Sequence, residues 1–111
     1  MYAIKKNKRV LSDGKEITTY SREIPNACIL TVEAGTSGYV LDGGNSGTYT
    51  YFRIKDEAGT QWNIHSNEDE SIEVELVGNC EVESIITALK FITQVLEEQS
   101  GYTGVLHERD S

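Results

Sequence analysis

Apolar residues recur at helical spacing over residues 80–99, and this pattern constrains the fold more than any other. We expect Asn79 to cap the helix, Glu81 and Glu83 to complement its positive end, and Gly101 to end it. Buried side chains contribute about 1.5–3 kcal/mol each, so the helix needs an apolar partner surface. Its expected buried stripe consists of Val82, Ile85, Ile86, Leu89, Ile92, Val95 and Leu96.

The segments before this helix alternate apolar and polar residues, which predicts β-strands with one covered face. The turn at residues 56–59 predicts an antiparallel hairpin between its two neighbouring strands. The sequence therefore predicts an α+β fold, in which one long C-terminal helix packs on an antiparallel sheet of four to five strands. The expected strands are residues 16–22, 28–33, 48–55, 60–65 and 71–77.

The 111 residues are expected to form a single domain, with a β meander over residues 16–77 and a loose tail over 100–111. The net charge is −8, yet residues 1–15 carry five cations and one acid. We interpret them as a mobile basic arm, or alternatively as an arm that touches an anionic partner. No membrane-spanning run or export signal is visible in the sequence, which predicts a cytoplasmic protein that does not bind membranes.

The two cysteines, Cys28 and Cys80, are expected to be buried thiols because no export signal is present. A disulfide between them stays open as an alternative. The sequence has no CxxC motif, so no metal site is expected. His65 is interpreted as a polar strand residue, and no catalytic residues or cofactor are predicted.

Residues 34–47 hold half of the ten glycines and form the candidate binding loop. Their spacing matches neither the dinucleotide fingerprint nor the phosphate-binding loop, so a plain hairpin connection is the alternative. Neighbouring tyrosines are suited to stacking on a base, and basic residues to binding phosphate. Such a face can instead be an ordinary wet one, with Arg53 opposite Glu73 or Glu75. The predicted ligand-binding residues are Gly35, Gly38, Tyr39, Gly43, Gly44, Tyr49, Tyr51, Arg53 and Lys55.

A cluster of acidic residues follows the predicted strand at 60–65. It is either a solvated surface or a surface that presents phosphate-like charge to a basic partner. Its members are Glu68, Asp69, Glu70, Glu73 and Glu75.

Three segments resemble a group of small acidic proteins encoded by bacteriophages and bacterial mobile elements. They are ILTVEAGT at residues 29–36, TYFRIKD at residues 50–56, and the predicted helix over residues 85–99. The resemblance implies a binding role, because some such proteins sequester nucleotide immune signals and others block a defence enzyme or mimic DNA.

The leading hypothesis is a small non-enzymatic phage-type binding protein that counters host defence by sequestering a signalling nucleotide. We expect a homo-oligomer, with no direct binding of nucleic acid, acting in the host cytoplasm. The alternative is an acidic protein-binding inhibitor or DNA mimic that blocks a host defence protein. A third hypothesis is a structural accessory protein that oligomerises through its sheet face or through Phe91, which falls outside the predicted helical stripe.

Overall fold

The computed structural model describes residues 4–38 and 48–103. The described residues form six strands and one helix. In chain order these are β1 (Lys5–Val10), β2 (Glu16–Ile24), β3 (Ile29–Thr36), β4 (Thr50–Ala58), β5 (Trp62–Ser66), β6 (Ile72–Leu76) and α1 (Asn79–Ser100).

The strands form two separate antiparallel sheets. The larger sheet has the order β1-β2-β3-β4, and the smaller one is the β5–β6 hairpin. The fold is therefore α+β, as the sequence predicts. No helix in the described ranges combines the length and hydrophobicity that a bilayer span requires.

The core lies between α1 and the middle of the larger sheet. Leu30, Val32 and Ala34 alternate along β3 and are fully buried on the face that α1 covers. The helix contributes Ala88 and Phe91 to the same cluster, together with Ile92 and Val95. Phe91 is only 7% exposed, so it is a core residue and not a subunit contact.

The predicted helical stripe was wrong in part, because α1 is rotated relative to expectation. Val82, Ile86 and Leu89 are 48–50% exposed, whereas Ser84 and Ala88 are buried against the sheet. Small side chains at the contact allow the helix to lie close to β3. A helix with apolar residues around more than half of its circumference does not reveal its buried side by spacing alone.

The helix ends also differ from expectation at one terminus. Asn79 is the first helical residue, and the chain enters the helix through Gly78 at φ 127°, with no side-chain cap. At the other end Gly101 adopts the left-handed conformation with φ 75°, and its backbone N–H donates to the Glu97 carbonyl. Gly101 therefore ends the helix as predicted.

The interpretation of residues 1–15 as a mobile arm was wrong for residues 5–10. These form β1, which pairs with β2 from Lys5–Ser21 to Val10–Glu16. The turn between them is closed by a backbone bond from the Leu11 N–H to the Lys15 carbonyl at 2.8 Å. The high lysine content conceals a strand because β1 is an edge strand with exposed side chains, where charge is common.

The predicted hairpin between residues 48–55 and 60–65 does not form. β4 continues through residues 56–58, which were expected to be a turn, and it pairs with β3. β5 pairs only with β6, so the single meander is replaced by a sheet and a detached hairpin. Pairing with β3 gives β4 an eight-residue partner, which a five-residue β5 cannot offer.

Cys28 and Cys80 are joined as a disulfide with Cα atoms 6.2 Å apart. The expectation of two thiols was therefore wrong. The bridge links the turn before β3 to the first turn of α1, because the helix begins directly above that end of the sheet.

Substitution of Ala88 by Leu tests the position of the buried helix face. Ala88 has no exposed surface, so added methylenes force the helix from the sheet, and we expect a loss of about 1–3 kcal/mol of unfolding free energy. The measurement is urea denaturation followed by circular dichroism. Thr87→Leu is the control at an exposed neighbouring position, where we expect a change within about 0.5 kcal/mol. Equal losses from both variants would contradict this packing.

Candidate ligand-binding face

The larger sheet has a second face, opposite α1, which we call the polar face. Its strand positions carry four cations (Lys5, Arg9, Arg53 and Lys55) and three acids (Glu23, Glu33 and Glu57). In a chain of net charge −8, this face therefore carries a small net positive charge of its own.

Glu33 is the buried charge at the centre of the polar face. Its carboxylate accepts two hydrogen bonds from Arg9, one of them from Nε at 3.2 Å, and another from the Thr19 hydroxyl at 2.6 Å. Arg53 lies directly opposite on β4. Burial alone raises the pKa of Glu33, but the hydrogen bonds from Arg9 and Thr19 and the charges of Arg9 and Arg53 outweigh burial and hold it below the usual value.

From contacts across the sheet we infer that the polar face is concave, with its two edge strands curled toward each other. The Arg9 guanidinium of β1 lies 5.0 Å from the ring centre of Tyr51 on β4, although two strands separate them. In a flat sheet the backbones of β1 and β4 would be about 14 Å apart, so the two side chains reach toward each other across β2 and β3. The curl also buries Ile17 and Thr19, which point away from α1.

Gly35 permits this curl. It lies opposite Tyr51, and a Cβ atom there would come within 2.9 Å of the Thr19 Cα and closer still to the Thr18 carbonyl. Its missing side chain lets β3 lie close to Thr18 and Thr19 of β2. Residues 34–36, which were expected to begin the glycine-rich loop, therefore belong to β3, and Gly35 has a packing role.

An open cleft of about 500 Å³ lies at the end of the polar face where the β1–β2 turn meets the start of β4. Its walls include Arg9, Asp13, Tyr49 and Tyr51. Lys15 stands 6.0 Å from the centre of the Tyr49 ring. The cleft thus combines two aromatic rings with the Arg9 cation, and Lys15 lies near one of the rings.

A hydrogen bond between Tyr49 and Asp13 connects the two sides of the cleft. The Tyr49 hydroxyl donates to the Asp13 carboxylate, which raises the pKa of Tyr49 and lowers the pKa of Asp13. The Lys15 backbone N–H also donates to Asp13, at 3.0 Å. The carboxylate therefore holds the β1–β2 turn against the start of β4.

The structure brings together some of the predicted ligand-binding residues and separates others. Tyr49 and Tyr51 line the cleft, and Arg53 follows on the same face. Lys55 lies further along β4 and pairs with Glu57 at 3.6 Å. Gly38 adopts φ 111° near the carbonyl of Gln99, at the end of α1. Three further predicted residues, Tyr39, Gly43 and Gly44, lie outside the described residues.

Sequence reasoning missed Arg9 and Asp13, which line the cleft, and Lys15, which lies near the Tyr49 ring. All three lie in the segment interpreted as a mobile arm. The Asp13-Gly14 turn was the available signal for a hairpin.

The other polar residues expected on the same face lie elsewhere. Asn63 and His65 are on β5, opposite Glu75 and Glu73 of β6. Arg53 therefore does not face Glu73 or Glu75, as one interpretation expected. Its cross-strand neighbour is Glu33.

One cluster among the described residues has potential metal ligands within 4.8 Å of one another: Cys28, Cys80 and Glu81. The two sulfurs are joined as a disulfide, and the Glu81 carboxylate accepts the Gln61 backbone N–H at 3.0 Å. All three side chains are thus engaged in holding the start of α1.

Glu33→Gln tests the buried charge pair. Because the pKa of Glu33 is lowered on folding, its contribution is present above the unfolded value of about 4.5 and is lost as the pH falls through the folded pKa. We expect the variant to lose about 1–2 kcal/mol of unfolding free energy at pH 7, and this difference from the wild type should shrink toward pH 3. The measurement is urea denaturation as a function of pH.

Glu57→Gln is the matched control. The pKa of Glu57 is also lowered, chiefly by the Thr31 hydroxyl, but its side chain is more exposed than that of Glu33. We expect a smaller loss of stability at pH 7. Equal pH profiles for the two variants would show that Glu33 has no special role.

Comparison with known proteins adds no relative. No protein-family model matches the chain, and no curated protein or solved structure does so either.

Proposed function

We propose that this chain is a small non-enzymatic binding protein that sequesters an anionic aromatic ligand, a signalling nucleotide, in the cleft of its polar face. The observation that carries the proposal is the meeting of Tyr49, Tyr51 and Arg9 at one open cleft, with Lys15 near the Tyr49 ring. In the phage setting that the resemblance implies, removal of a nucleotide signal from the host cytoplasm would counter host defence.

Ring stacking and charge give the cleft its selectivity in this proposal. A base has a π-face that stacks on tyrosine, and each stacked base is worth about 1–3 kcal/mol. Phosphate oxygens bind cations. Arg53 lies two residues beyond Tyr51 on β4 and therefore faces the same side of the sheet. Because Arg9 is already engaged by Glu33, Arg53 and Lys15 are the cations assigned to phosphate.

The glycine-rich segment starts and ends beside the cleft. The Ser37 backbone N–H donates to the Tyr49 carbonyl, and the Tyr49 N–H donates to the Ser37 hydroxyl, both at 2.9 Å. These bonds close the loop between residues 37 and 49 at the edge of the cleft.

The disulfide does not bear on this site. Cys28 and Cys80 lie at the opposite end of the sheet, beyond the β2–β3 turn.

Ligand binding is tested by thermal melting of the protein with cyclic dinucleotides, cyclic trinucleotides, NAD-derived signals and common nucleotides. A ligand at about 100 times its dissociation constant stabilises the fold by about 2.7 kcal/mol, which raises Tm by several degrees. For the ligand that gives a shift, we expect Tyr51→Ala and Arg53→Ala each to weaken binding by about 10-fold or more, measured by calorimetry.

Two substitutions outside the cleft serve as controls. Tyr102→Ala removes an exposed tyrosine beyond α1, and Lys8→Ala removes a cation from β1 outside the polar face. Both should leave the affinity unchanged. The proposal is refuted if no nucleotide shifts the melting temperature, or if the cleft variants bind as well as these controls.

A second candidate function rests on the acidic side of the β5–β6 hairpin. Glu68, Asp69 and Glu70 form its turn, and Glu73 and Glu75 follow on one exposed face of β6. Because the hairpin stands apart from the larger sheet, these charges form a projecting acidic surface. Such a surface suits the basic groove of a host defence protein, either as an inhibitor or as a mimic of DNA.

Charge reversal distinguishes this candidate. We expect a protein captured from a bacterial lysate at about 50 mM salt to be lost at about 300 mM salt, since the attraction is screened. It should also be lost when Glu68, Asp69 and Glu70 are changed to Lys. Reversal of Glu97 and Glu98 on α1 is the matched control. Capture that survives reversal of the hairpin charges would exclude this role.

A further inference from the structure

The β5–β6 hairpin, which we call the arm, has an apolar face that nothing in the described chain covers. Ile64 and Val74 are cross-strand neighbours on this face, and Ile72 lies beyond them toward the tip. Their side chains are 57%, 45% and 70% exposed. A two-stranded hairpin is marginally stable at best in water, so an arm of this kind needs a surface to pack on.

Only the root of the arm is attached to the body. Trp62 packs against the main core, and the Gln61 backbone N–H donates to Glu81 at the start of α1. The Val77 N–H donates to the Gln61 carbonyl at 3.0 Å. These contacts fix the direction of the arm and leave its apolar tip projecting from the body.

A second uncovered apolar surface lies on α1 itself. Val82, Ile86 and Leu89 form a stripe along the side of the helix that the sheet does not cover. Phe52 of β4 is also half-exposed, on the sheet face that α1 covers only in part. The arm and this helical stripe meet near residues 77–79, where the hairpin joins the helix.

We propose that these surfaces form the interface between two copies of this chain, with the arm of each copy packed on the Val82–Ile86–Leu89 stripe of the other. The exchange is reciprocal, as a two-fold interface requires. At about 100 Å² for each half-exposed side chain, the arm, the stripe, Phe52 and Val77 offer about 800 Å² per copy, which is the area of a standard stable interface.

The charges of the arm are compatible with packing against a second copy of this chain. Its acids, Glu73 and Glu75, lie on the face opposite Ile64 and Val74. Two chains of net charge −8 can therefore meet through the apolar face of the arm without burying these carboxylates. The surface also lies on the other side of the sheet from the cleft, so the dimer does not depend on the proposed ligand.

Sedimentation equilibrium from about 1 to 100 μM tests the dimer, without any ligand. We expect the wild-type chain to be dimeric at the upper end of this range. Ile64→Lys and Ile86→Glu each bury a charge in the interface, and each should weaken dimerisation by at least about 100-fold. Val10→Glu places a charge on an exposed apolar residue outside the surface and should leave the dimer intact.

Mixing the two variants tests the reciprocal contact. An arm carrying Ile64→Lys faces a helix carrying Ile86→Glu, so the mixture should form a heterodimer in which one of the two contacts gains an ion pair. We expect the mixture to dimerise at least 10-fold more tightly than either variant alone. Circular dichroism confirms that each variant is folded. A monomeric wild-type chain at 100 μM, or variants that dimerise like Val10→Glu, would overturn the proposal.

Discussion

The hydrogen-bonded charge pair of Arg9 and Glu33 ties together the strands of the larger sheet. A carboxylate buried in the middle of β3 is costly unless its oxygens are satisfied, and Arg9 reaches across β2 to satisfy them. The same guanidinium stacks on Tyr51 of the opposite edge strand. One side chain therefore connects β1, β3 and β4 on the concave face.

The candidate cleft is a consequence of the same curl. Without the approach of β1 to β4, the β1–β2 turn would not reach Tyr49. Asp13 could then not accept a hydrogen bond from the Tyr49 hydroxyl. Gly35 is part of this geometry, because a side chain there would separate β3 from β2. A glycine that the sequence places in a binding loop thus acts on the site indirectly, by allowing the strands to pack closely.

Local patterns predicted the helix, its C-terminal glycine and the α+β class, because each depends on residues close in the chain. β4 pairs with β3, and the β5–β6 hairpin is separate from the larger sheet. Both features depend on contacts between distant residues, which the alternation of apolar and polar residues does not encode. Residues 5–10 were missed for a related reason. A basic edge strand differs in sequence from a flexible basic segment only in having a partner strand. The partner contact is not local here, since Arg9 and Glu33 are 24 residues apart in the chain.

The rotation of α1 has a physical explanation that also bears on association. The sequence offers the helix two apolar sides, one lined by Ala88 and Ser84 with Phe91 and the other by Val82, Ile86 and Leu89. The side with small residues allows the closer approach to β3, so it packs inside the chain. The bulkier side then stays outside together with the apolar face of the arm. In a chain of this size the sheet can bury only one side of the helix. The second apolar side of α1 is buried only when another surface covers it.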